Sequence, residues 1–268
     1  MNKKSILLLI ITIVLSSCSL TKRTTTFKEE PIVIKETKNI IVNKAKEKDS
    51  SINSCKTAKD LQTYFKSIDY EKKIGSEDLI LKDIPVGMFD IYDAQEKKKL
   101  FFKVMYPIAL KVNEEIAKER EDLLNGKNLE SLMKKYKTTD LEQLKLRVDV
   151  IPIPMFLAQA AIESAYGASR FAEEGNALFG QWTTSKTGMS PSEKPDSKWK
   201  VARFKTLLDS ARAYALNINT NRTYSYLRYL RSRGQDAAYG LSRYSQKGKE
   251  YIDIIHSVIR KNNLMRFN

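Results

Sequence analysis

The sixteen residues Ile151-Pro-Ile-Pro-Met-Phe-Leu-Ala-Gln-Ala-Ala-Ile-Glu-Ser-Ala-Tyr166 decide how the chain is read. Charged residues make up 29% of the sequence, so about four or five would be expected in a stretch of this length. It holds one, Glu163. Pro152 and Pro154 suit a helix start, and the spacing predicts a helix over 152–166. A helix that is apolar almost all round is buried. A lone carboxylate there is costly unless a cation pairs with it or it keeps its proton. Either Glu163 meets a guanidinium, with Arg170 a candidate, or it lines a cleft with a raised pKa. Gln159, four residues earlier, and Tyr166, three later, would share its face as one polar stripe. Desolvation favours the protonated form, the form a general acid needs.

Outward from this segment the pattern stays helical. Residues 95–124 place Phe101, Val104, Met105, Ile108, Val112 and Ile116 at helical spacing, with Pro107 as a kink and Gly126 as a stop. Thr139-Asp-Leu-Glu142 reads as a capping box. Further helices are expected near 206–220, 223–233 and 246–262. Two strands, 178–184 and 198–204, flank a Ser-, Pro-, Lys- and Gly-containing stretch and predict a long-looped hairpin. The expected fold is α+β, mostly helical, with a small β-hairpin lobe.

The N-terminal residues read as an export signal, 1–17. Lys3 and Lys4 precede a short apolar run over 6–15, too short for a comfortable membrane span. Leu15-Ser-Ser-Cys18 looks like a bacterial lipobox, which would make Cys18 a lipid anchor. Cys55 would then be alone; a Cys18–Cys55 bridge is the rival arrangement. Residues 18–55 contain one aromatic, Phe27, among many polar residues, and read as a flexible tether. The domain is expected over 56–268, with 56–148 as an N-terminal helical extension.

The sequence has 47 Lys and Arg against 32 Asp and Glu, a formal charge of +15. Residues 197–268 alone hold fifteen Lys and Arg against four Asp and Glu, and seven of the thirteen Tyr. A basic, aromatic surface suits an anionic polymer; export favours cell wall over nucleic acid. Arg222, Arg228, Arg231 and Arg233 read as a solvated helix face. One His and two Cys cannot supply a four-ligand zinc site. P-loop and GxGxxG patterns are absent, and no metal or cofactor is expected. His256, in the apolar stretch 252–259, reads as a core histidine, so a Ser-His-Asp triad lacks support.

The run Ala158-Gln-Ala-Ala-Ile-Glu163-Ser-Ala-Tyr-Gly167, then Ser169-Arg-Phe-Ala172 and Gly175-Asn-Ala-Leu-Phe-Gly180-Gln-Trp182, resembles the glucosaminidases of glycoside hydrolase family 73, most of all their Bax-like branch. Arg203-Phe204, Ser210…Tyr214 and Tyr244-Ser-Gln-Lys-Gly248-Lys-Glu-Tyr251 follow in the same order. Lys97…Phe102 and Pro107…Ile116 resemble the branch's upstream region. The resemblance implies a lysozyme-like domain. It also implies hydrolysis of the β-1,4 bond between N-acetylglucosamine and N-acetylmuramic acid in peptidoglycan, without a cofactor. By resemblance, Glu163 is the catalytic acid and Tyr244 faces it from the far wall. A second acid would come from the hairpin loop, Glu193 ahead of Asp196; otherwise the substrate's acetamido oxygen serves. Asn176, Phe179, Gln181 and Trp182 would line the groove with Gln159 and Tyr166, whereas Tyr251 reads as structural. A lytic transglycosylase of the same framework and a non-catalytic wall-binding lipoprotein are the alternatives.

Overall fold

A computed structural model describes residues 51–267. Cys18, the expected signal and most of the expected tether lie outside them. The element order is α1 (Ala58–Ser67), α2 (Tyr70–Lys73), α3 (Ala94–Leu124), α4 (Leu129–Tyr136), α5 (Leu141–Arg147), α6 (Ile153–Glu163), α7 (Arg170–Gly175), β1 (Trp182–Thr183), β2 (Lys200–Val201), α8 (Leu207–Thr220), α9 (Ser225–Ser232) and α10 (Lys249–Lys261), with short 3-10 turns between. The fold is mostly helical α+β, lysozyme-like, with a small antiparallel hairpin lobe. Among the described residues no helix is long and apolar enough to cross a membrane.

Helix α6 forms the centre. Every residue from Ile153 to Ala161 is buried, and the helix packs against α3 and α10. Its alanines let those neighbours approach closely, while Phe156 meets Phe179 and Tyr214 edge-on at 5.4 and 5.1 Å. The main core runs from Ile52 to Leu264, so α1 and α3 share one interior with α6, α8 and α10. Ile52 and Cys55 lie in it, so the last residues of the expected 18–55 tether are part of the folded body; Cys55 is buried, with no disulfide partner among the described residues. A second cluster, Leu123, Leu132, Tyr136, Leu144 and Val148, joins the end of α3 to α4 and α5.

Helix α3 continues through Pro107. Proline has no N–H, so the carbonyl of Lys103, one turn back, loses its helical donor. The Tyr70 hydroxyl donates to that carbonyl instead, at 3.0 Å. Tyr70→Phe is therefore expected to lower stability by about 1–3 kcal/mol, read as a shift in the urea unfolding midpoint at unchanged slope.

Three local expectations need correction. Helix α5 is capped by Asp140, whose carboxylate accepts from the Gln143 N–H at 3.0 Å, one residue later than the Thr139 box. The strands are shorter than expected: only Trp182 opposite Val201 and Thr183 opposite Lys200 pair as a ladder. Leu178 and Phe179 are drawn into the main core instead, and Met189 pairs with Val201 from the hairpin loop. Of the four arginines read as a solvated face, only Arg222 and Arg233 are exposed. Arg228 is buried and donates to the carbonyls of Ile218 and Asn221 at 2.8 and 2.9 Å, closing the C-terminal end of α8. Arg231 lies inside, 3.3 Å from the Asp149 carboxylate.

Candidate active site

Helix α6 ends at Glu163. The next turn is tight: Ala165, Tyr166 and Gly167 have φ of 51°, 58° and 77°, a region costly for residues with a Cβ. Hydrogen bonds hold it. The Tyr166 N–H donates to the Ala161 carbonyl at 2.8 Å, and the Ser169 N–H to the Ser164 carbonyl at 3.0 Å. The Ser164 hydroxyl donates to the Ala160 carbonyl at 2.6 Å and accepts from the Gly167 N–H at 2.9 Å. Glycine suits position 167, where φ is 77° and an added Cβ would stand 3.3 Å from the Ile84 and Phe101 side chains, so that they would have to give by a few tenths of an ångström. The turn swings Tyr166 off the helix, so it is not part of a stripe with Glu163. Its ring packs edge-on to Phe101 and Phe102.

Glu163 has no cation within ion-pair distance among the described residues; Arg170 pairs with Glu174 at 3.3 Å and donates to the Ser190 carbonyl at 2.7 Å. Burial raises the Glu163 pKa from 4.5 to about 7, opposed by one hydrogen bond from Tyr251. The Tyr251 hydroxyl donates to Glu163 Oε1 at 2.7 Å. Oε2 has no hydrogen-bond partner among the described residues, and Glu163 as a whole is half-buried. It faces Gly180, where an added Cβ would lie 4.0 Å away. Two cavities, of about 410 and 630 Å³, lie elsewhere and neither includes Glu163.

Behind Tyr251 runs a chain of hydrogen bonds. The buried Tyr214 hydroxyl donates to Gln159 Oε1 at 2.6 Å, and Gln159 Nε2 donates to the Tyr251 oxygen at 3.2 Å. With its oxygen engaged by the amide, Tyr251 directs its own proton at Oε1. An acid proton on Glu163 is then carried by Oε2, the oxygen without a partner among the described residues. Tyr251→Phe removes the only group that lowers the Glu163 pKa. The expected result is a pKa above 7, seen by carbon NMR of labelled Glu or as an alkaline activity limb moved to higher pH.

The other expected site residues are placed as follows. Gln159 is fully buried and touches Tyr214 and Tyr251, so it serves behind the site rather than at a substrate. Tyr244 stacks on Tyr251 at 5.3 Å and 9°, and its hydroxyl donates to the Phe179 carbonyl at 3.2 Å. It thus flanks the Tyr251–Glu163 pair without bonding the acid. Asn176, in a left-handed conformation, is a structural clamp. Its amide donates to Asp83 at 2.8 Å, and its oxygen accepts from the Ile84 N–H at 3.3 Å. Phe179 is core, stacked on Tyr214 at 3.9 Å. Gln181 is half-buried, with its side-chain oxygen unpaired. Trp182 is half-buried beside Ala177, Met189 and Val201. Glu193 and Asp196 are exposed on the hairpin loop. His256 is partly buried and pairs with Asp236 at 2.8 Å.

Sequence reasoning missed two site residues. Gly180 was passed over as one glycine of a motif. Tyr251 reads as structural in the sequence; it is the third residue of α10, seven positions after Tyr244, and its bond to Glu163 is made only in the fold.

Residues 138–264 match the glucosaminidase family model, described as mannosyl-glycoprotein endo-β-N-acetylglucosaminidase. The chain is 28% identical over 195 residues to Protein bax of Escherichia coli (strain K12), an alignment covering 62% of this chain and 70% of that protein. No solved structure matches it significantly. The matched region holds α6 with its terminal acid, the hairpin, and the helix that brings Tyr251 to that acid, and these matches support a Bax-like glucosaminidase domain over residues 138–264.

Proposed function

We propose that this glycosidase-type protein is an endo-β-N-acetylglucosaminidase of peptidoglycan, cutting the β-1,4 bond between N-acetylglucosamine and N-acetylmuramic acid. The observation that carries the reading is Glu163: a carboxyl with a pKa raised to about 7 by burial, one oxygen held by Tyr251, and no cation or second partner among the described residues. Protonated at Oε2, it delivers its proton to the glycosidic oxygen as that bond breaks. The Tyr251 hydrogen bond then stabilises the carboxylate left behind.

Burial and Tyr251 account for the Glu163 shift, with no second acid contributing. A protein nucleophile at the roughly 5–5.5 Å of a retaining pair would add repulsion and raise the pKa further. Without such a close pair, either the substrate's acetamido oxygen is the internal nucleophile or a water is activated from farther away, with Glu193 the candidate base. Gln181 and Trp182 are the proposed sugar contacts of the hairpin side, and Tyr244 that of the α10 side.

The family description names a glycoprotein substrate; peptidoglycan is proposed on the export signal and the basic C-terminal quarter. Cys18 is the proposed lipid anchor, tying the domain to the bacterial envelope through residues 18–50. Digestion of purified sacculi followed by mass spectrometry of the fragments tests the reading. Reducing N-acetylglucosamine ends are expected. Anhydro-muramic ends would make it a lytic transglycosylase, and binding without release a wall-anchoring protein.

A further inference from the structure

Two grooves of the body differ in how their charges are arranged. The smaller, about 410 Å³, is lined by α3, α4 and α8. It neutralises itself: Arg212 holds Glu115 at 2.6 Å, and Lys135 holds Glu119. The larger, about 630 Å³, lies where α3 passes α2 and the C-terminal end of α10. Its wall carries Lys98, Lys99, Lys103, Lys261 and Arg266 against a single carboxylate, Glu71. None of these five cations makes an ion pair within 4.0 Å among the described residues.

The crowding of charge follows from helix periodicity. On α3, Lys99 and Lys103 stand one turn apart, as do Lys98, Phe102 and Tyr106 on the adjoining row. Like charges so placed repel. Lys103 is also held over the rings of Phe65 and Tyr70, at 5.3 and 5.0 Å. Burial, then the charge of Lys99, draws its pKa below the ordinary lysine range. The far wall is aromatic and amide-rich. Phe267 lies 4.2 Å from Tyr106, with the Arg266 guanidinium 4.6 Å over its ring, and Asn262 and Asn263 complete the lining. The groove therefore joins five cations, offset by the single carboxylate of Glu71, to a flat apolar wall.

We propose that this groove binds a phosphate ester, its anionic group among Lys98, Lys99, Lys103 and Lys261 and its organic portion against Tyr106 and Phe267. A carboxylate offers one negative charge in a plane that suits a guanidinium fork. A phosphate presents more oxygens in three dimensions and suits several separate ammonium groups. The ester is either a soluble phosphate or the headgroup of an anionic lipid, which share this chemistry. The site is independent of the Glu163 reading and stands or falls without it.

The test uses the full chain in two arms. In calorimetry, glycerol phosphate is expected to bind saturably at one site. Affinity should fall roughly tenfold in the Lys99→Gln/Lys261→Gln double variant. Both positions are exposed, so folding is preserved. Lys103→Gln should weaken binding as well, whereas Lys186→Gln on the hairpin loop should not. In the second arm, phosphatidylcholine vesicles with and without phosphatidylglycerol are pelleted with the chain. Loss of phosphatidylglycerol-dependent pelleting in the same double variant, with no free-ester binding, assigns the lipid headgroup. Free-ester binding alone assigns the soluble ligand. Binding in both arms that is indifferent to the double variant, no binding in either, or acetate competing as well as phosphate would overturn the proposal.

Discussion

Glu163→Gln is expected to reduce release of fragments from sacculi by roughly 10²–10⁴-fold while the protein stays folded. The amide keeps the shape of the carboxyl, and its oxygen can still accept the Tyr251 proton now directed at Oε1 at 2.7 Å. What it lacks is a transferable proton at the unpartnered position. Stability moves the other way. The folded pKa of Glu163, about 7, lies above its ordinary 4.5, so between those values the native state holds a proton that the unfolded chain has released. Native stability therefore falls as pH rises through that window, and the fall is complete above it. The Gln variant has no such loss. Its melting temperature relative to wild type should be higher at pH 8 than at pH 5. Cleavage at the wild-type rate by the folded variant would remove Glu163 from the chemistry.

Arg231→Met is expected to cost about 3–5 kcal/mol of folding stability, against almost nothing for Arg233→Met. Arg231 is buried between α5, α8 and α9. Its guanidinium faces Asp149 at 3.3 Å and donates to the carbonyls of Val150 and Leu146 at 3.1 and 3.0 Å, and to Asn219 Oδ1 at 2.9 Å. Removing it leaves three oxygens without that donor in a desolvated place, where each unmade bond costs more than its net worth when made, and leaves Asp149 with Arg120, at 3.7 Å, as its remaining cation. Burial lowers the Arg231 pKa to about 10, so it remains charged at neutral pH. Val150 opens the short segment leading to α6, so loss of this tie should also loosen the entry to the acid-bearing helix. Urea unfolding of the two variants side by side reads the difference; equal midpoints would show the buried pair to be dispensable.

These two residues mark the limits of reading along the chain. Glu163 stood out because burial is a property of local composition: one charge in an oily helix is visible before any partner is known. Arg231 did not stand out. Its segment carries Arg228, Arg231 and Arg233 among tyrosines, and the charge count alone reads as solvated. The signal was periodic: Arg228 and Arg231 lie next to Leu227 and Leu230 on the inward face, whereas Arg222 and Arg233 do not. The hairpin was foreseen in place but not in length, because Leu178 and Phe179 gain more by entering the core than by extending a ladder.

Asn176, Phe179 and Gln159 show the same limit within the motif itself. Each lies in the stretch that resembles the family, and each is engaged elsewhere: Asn176 with Asp83, Phe179 with Tyr214, Gln159 with Tyr214 and Tyr251. A shared motif records that a residue type is required; it does not distinguish contact with substrate from support of the residue that makes contact.

Amino-acid order alone was sufficient for the mostly helical fold, the buried central helix and the exceptional acid, because each follows from composition and periodicity over one or two dozen neighbours. Only the folded chain selected the acid's partner. Tyr251 lies 88 residues beyond Glu163, and no pattern of spacing encodes a contact made when α10 packs on α6. The same packing leaves Oε2 without a partner among the described residues, so which oxygen carries the proton is a property of the assembled body.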